Sequence, residues 1–190
     1  MSKINYFDSL ESLSTLSSRA VFLSCSPSKP SVCTELTSIR HRTNMSIGEL
    51  EKTLFCDFMP PLERNSIAMC AHSLEKILER SCDIMNYRLS ENYVIEKKNR
   101  EAELCIRLSE AIEKAVFSLR YIKKKAELPD FSAFRCMLEE AQSAHTVLQK
   151  RFSSNTYPQC AQRTQHLICE LRSELSRCFN CIVEVMLNNI

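Results

Sequence analysis

Two pairs of glutamates stand out by type and spacing. Glu75 and Glu79, and Glu170 and Glu174, are each four residues apart in the sequence. At helical pitch that spacing puts both carboxylates of a pair on one side of one turn. Each pair borders an apolar face: Ile67, Cys70, Leu74, Ile77, Leu78, Cys82 and Met85 around the first, and Ile168, Leu171, Leu175, Cys178 and Ile182 around the second. Like charges on one turn repel by a few tenths of a kcal/mol, so two such pairs ask for a reason. One reason is a divalent cation, which takes several oxygens from adjacent helices. The other is a solvated flank, because Glu favours helix and Lys76 and Arg172 stand beside the acids. The pairs alone leave both readings open.

The remaining chemistry is sparse. His41, His72, His145 and His166 are scattered, and no Glu-x-x-His motif supports a ferritin-type di-iron bundle. His145 falls on the apolar side of its segment and reads as a core or boundary histidine. A single glycine excludes the Gly-rich loops of P-loop and Rossmann proteins. Cys178 and Cys181 form a C-x-x-C without a second pair at zinc-ligand spacing, which argues against a zinc site there. Basic residues gather at Arg40-His41-Arg42, at Lys97, Lys98 and Arg100, and at Lys123-Lys124-Lys125. A basic face of this kind suits acidic lipid headgroups or an acidic loop of a membrane protein. It equally suits solvent, and the lysine run suits the C-terminal end of a helix dipole. A net charge of +2 gives no ground for nucleic-acid binding.

The elements that must position these groups are helical. The chain of 190 residues is long enough for a sizeable core, and its one glycine leaves little for the positive-φ turns of hairpins. Apolar periodicity and proline punctuation predict helices over residues 3–23, 31–57, 62–89, 91–127, 129–152 and 159 onward. The polar centre of the second, Arg40 to Asn44 with Gly48 after it, predicts a weak or bent midpoint. Helix–Pro30–helix–Pro61–helix is followed by helix–Pro129–helix–Pro158–helix, and the glutamate pairs follow Pro61 and Pro158 at similar distances. This points to tandem three-helix units, residues 1–90 and 91–190, in one continuous all-α antiparallel bundle. The 11 cysteines, an odd number lying mostly on apolar stripes, predict reduced thiols and a cytoplasmic protein. Asp8, Glu11 and Arg19 leave no clean signal-peptide core, and no apolar run reaches the length of a transmembrane helix.

With that layout in hand, the sequence resembles the PhoU-like phosphate-transport regulators, in the branch that accompanies low-affinity phosphate transporters. The matching residues are Phe58-Met59-Pro60-Pro61-Leu62-Glu63-Arg64, then Leu74-Glu75-Lys76-Ile77-Leu78-Glu79, and near the C-terminus Cys169-Glu170-Leu171-Arg172-Ser173-Glu174. The family favours Asp where these stretches carry Glu. It also carries acidic motifs on the second helix of each half. Here those places read His41-Arg42-Thr43-Asn44-Met45, and Glu139-Glu140 followed by Gln142 and Ser143. The resemblance implies a divalent metal of iron or zinc type on Glu75, Glu79, Glu170 and Glu174. It implies a non-catalytic regulator of phosphate transport that contacts a membrane phosphate transporter or its sensor, works at the inner membrane face and is open to homo-oligomerisation. The rival expectation is a helical adaptor that has the fold and has lost the metal.

Overall fold

The computed structural model describes residues 5–27, 33–57, 60–122, 131–152 and 158–189. Among them the chain forms six helices and no strand: α1 (Tyr6–Cys25), α2 (Cys33–Cys56), α3 (Arg64–Ser90), α4 (Arg100–Leu119), α5 (Phe131–Phe152) and α6 (Gln159–Asn188). The fold class read from the sequence is therefore all-α as expected. Pro30, Pro129, Phe58, Met59 and the Lys123-Lys124-Lys125 run lie outside the described residues.

Four helices build the centre. α1 packs on α3 and α4, and α6 packs on the same two; α2 lies against α1 and α3, and α5 against α4 and α6. Each half thus uses the same scheme, a first and third helix in the centre with the second outside. Polar contacts give the directions. Arg19 pairs with Glu35 at one end of α1, while the Tyr6 hydroxyl donates to Asp57 at the other, so α1 and α2 run antiparallel. Arg120 pairs with Glu11, and Thr15 donates to Glu113, so α1 and α4 are antiparallel too. The main core joins Leu10 and Leu13 of α1, Ile67, Leu74 and Ile77 of α3, Leu108 and Ile112 of α4, and Ile168, Leu171 and Leu175 of α6. A second cluster seats Leu36 and Ile39 of α2 on Leu16, Ala20 and Leu23 of α1 and on Leu78 and Met85 of α3. On the other side, stacked rings of Phe134 and Phe179, with centroids 3.5 Å apart, fix α5 to α6.

Sequence expectations change for α4 and α2, and α4 ends at Leu119, short of the expected residue 127. The fourth helix does not begin at residue 91. Glu91 caps α3, Asn92 turns at φ 48°, and α4 starts only where the Asn99 side chain accepts from the Ala102 amide. Asn tolerates that left-handed backbone better than most residues. The intervening loop is pinned by buried Ile95. Second, α2 runs unbroken through its polar centre. Its buried positions, Leu36, Ile39, Thr43, Ile47, Leu50 and Leu54, keep one face against the core. A side chain at Gly48 would point into open space, so this glycine merely sits on the solvent side.

Arg88 ties three segments together. It is fully buried and donates to the Ser24 carbonyl at 2.6 Å, at the end of α1, and to the Tyr93 carbonyl in the loop before α4. Arg88→Met keeps the aliphatic stem and removes the donors, leaving buried carbonyls without them. Loss of stability by about 1–3 kcal/mol is expected, read as a lower urea midpoint.

Candidate functional site

The start of α4 buries a charged side chain where the helix period calls for an apolar one. Glu101 stands four residues before Cys105, on the stripe that continues through Leu108 and Ile112. It is 0 % exposed. Its partners come from α5 and α6. His145 Nδ1 lies 2.9 Å from Glu101 Oε2, and Gln165 Nε2 donates to the same oxygen. Asn99, the α4 cap, in turn donates to Gln165 Oε1 at 2.9 Å. Arg172 Nε is 3.5 Å from Glu101 Oε1, and its Nη2 donates to Cys169 Sγ at 3.2 Å. Glu101 Oε1 and Arg172 Nη1 are buried and have no hydrogen-bond partner.

On α6, Gln165, Cys169 and Arg172 follow one another at helical spacing, which aims all three at the α4–α5 side. Burial pushes the Glu101 carboxyl up from its ordinary range, against the opposing pull of His145 and Arg172. Burial likewise raises the Cys169 thiol, and Arg172 works against it. One potential ligand atom from each of Glu101, His145 and Cys169 lies within 4.8 Å of the others. Among the described residues no other group of three such side chains converges.

The four glutamates singled out by spacing lie elsewhere and do not converge in that way. Glu75 is half-buried and faces His72, whose ring also reaches Glu51 of α2 at 3.2 Å. Glu79 is exposed. Glu170 lies 3.3 Å from His166 and 3.9 Å from Arg80 of α3. Glu174 is buried, with Oε1 2.7 Å from Arg177. Three of the four therefore have cationic or histidine neighbours. Lys97 and Lys98 are exposed on the loop before α4 and do not share a helix face with Arg100. Arg100 itself is ion-paired with Glu103 and Glu140. Cys178 and Cys181 are buried free thiols, and Cys70 hydrogen-bonds Cys181, drawing that thiol below its ordinary range.

Two solved structures cover nearly all of the chain with the same arrangement. One is a PhoU-like protein from Shewanella oneidensis MR-1, at TM-score 0.65 and 15 % identity, covering 97 % of each chain. The fold is PhoU-like. The other, a putative PhoU-like phosphate regulatory protein from the same organism, gives a TM-score of 0.64 at 14 % identity over 97 % of this chain and 96 % of its own. No protein-family model and no curated protein matches the chain. Within this PhoU-like fold the Glu101 cluster joins the first helix of the second half to the two that follow it.

The sequence hides the cluster for a definite reason. A glutamate in the first turn of a helix reads as a complement to the dipole, and Glu103 beside it is exposed as such a residue should be. The readable signal is the stripe position of Glu101 combined with polar Gln165, Cys169 and Arg172 on one side of α6. Arg172→Met should be strongly destabilising, by about 3–5 kcal/mol, because it leaves a buried carboxylate without its counter-charge. Combined with Glu101→Gln, the loss should fall well short of the sum of the two single variants in chemical denaturation.

Proposed function

We propose that this protein is a non-catalytic regulatory or accessory protein of phosphate transport, acting by contact with a membrane phosphate transporter or its sensor. The observation that carries the reading is the fold likeness over 97 % of the chain to a putative PhoU-like phosphate regulatory protein. Among the described residues no helix is long and apolar enough to cross a membrane. The proposal therefore has the protein meet its partner peripherally, from the cytoplasmic side. Exposed Lys97, Lys98 and Arg100 are the described part of the basic surface offered to that partner or to acidic lipid. Deleting the gene and measuring uptake of labelled phosphate over a range of concentrations tests the reading. A changed uptake capacity or threshold, restored by the wild-type gene, is expected. Uptake identical to the parent at every concentration would overturn it.

The same reading carries a divalent metal of iron or zinc type on Glu75, Glu79, Glu170 and Glu174. Three of these acids already face His72, His166, Arg80 or Arg177, and the remaining ligands in this reading are water, His41, Glu139 or a second subunit. Glu75→Gln with Glu79→Gln removes the charge and keeps the shape. Elemental analysis of untagged protein should show the metal lost while the thermal midpoint barely moves. Metal retained in the double variant would place it elsewhere.

A further inference from the structure

We propose that Glu101, His145 and Cys169 form a binding site for a zinc-type divalent cation, at the junction of α4, α5 and α6 and separate from the four glutamates. The three residues supply one oxygen, one nitrogen and one sulfur, the mixed donor set that zinc takes. Tetrahedral zinc with bonds of about 2.0–2.3 Å holds its ligand atoms roughly 3.3–3.8 Å apart. The present limit of 4.8 Å is within reach of modest side-chain adjustment. Helices hold all three residues, so the backbone needs no rearrangement.

A second observation points to a cation. Glu101 is 0 % exposed and its Oε1 has no hydrogen-bond donor. A buried carboxylate oxygen left this way is costly, and a metal would satisfy it fully. Arg172 provides only partial compensation, at 3.5 Å from that oxygen while its Nη2 goes to Cys169. The guanidinium is thus the stand-in positive charge for both would-be anionic ligands. Binding the cation forms a metal–sulfur bond, breaks the Cys169 S–H bond and releases that proton to solvent. Arg172 then turns toward the open groove it already lines with Gln142, Ser173 and Ser176. Three protein ligands leave a fourth position for water.

The site does not depend on the phosphate-transport reading, and the test separates the two. The probe is Co²⁺ added to the full-length reduced protein. A thiolate-to-cobalt charge-transfer band in the near ultraviolet, with the visible bands of a tetrahedral ion, should saturate at a single equivalent. Cys169→Ala should abolish the charge-transfer band, although exposed Cys56 and Cys136 remain. His145→Ala and Glu101→Gln should each weaken binding by about tenfold or more. Zn²⁺ should raise the thermal midpoint of the wild type and leave that of Cys169→Ala unmoved. Cys169 is only half-buried, so its alanine variant should fold, as far-ultraviolet circular dichroism would verify. No band with the wild type, or a band that survives Cys169→Ala in folded protein, would overturn the proposal.

Discussion

Everything in this molecule rests on the mutual burial of the apolar faces of α1, α3, α4 and α6. Leu13, Ile67, Leu108 and Leu171 are all fully or almost fully buried there, and each such side chain contributes roughly 1.5–3 kcal/mol on leaving water. Surface ion pairs such as Arg19–Glu35 add little, because water screens them. The outer helices depend on the centre. α2 holds through a short apolar stripe, and α5 through Phe134, Ala141 and the cluster around His145. Small residues bring the central helices close. Ser17 of α1 donates to the Leu74 carbonyl of α3 at 2.9 Å, and Ser18 lies 3.3 Å from Ser109 of α4.

Much of this was legible in the sequence because helix period and proline punctuation are local signals. The stripes on α3, α4 and α6 fall where spacing put them. The start of α4 was less legible. Residues 91–99 are compatible with helix by composition, and tertiary contacts overrule that preference. Arg88 draws in the Tyr93 carbonyl, Ile95 anchors the loop, and Asn99 supplies a cap. The unbroken α2 is the converse case. Its polar centre looked weak in isolation, yet one buried position per turn is enough when a core is there to receive it.

Glu101 shows why site chemistry is harder to read than fold. A carboxylate on a core stripe has to be offset by groups distant in sequence, and no local pattern announces His145, Gln165 and Arg172 as its partners. The paired glutamates are the converse case. Their spacing is conspicuous, but i,i+4 geometry fixes only that two acids share a side of a helix. It does not bring a third ligand to them. Convergence from different helices is a tertiary property, and it occurs at the less conspicuous residues.

The stretch Cys169-Glu170-Leu171-Arg172-Ser173-Glu174 joins the two chemistries. Its resemblance to the family motif rests on its acids, yet helix geometry divides its residues among different neighbours. Leu171 enters the core, Glu170 approaches Arg80 of α3, and Cys169 and Arg172 turn to Glu101 of α4. A shift of α6 along its axis would therefore alter the approach of Glu170 to Arg80 and the buried cluster together. Core packing resists such a shift by amounts comparable to several buried side chains.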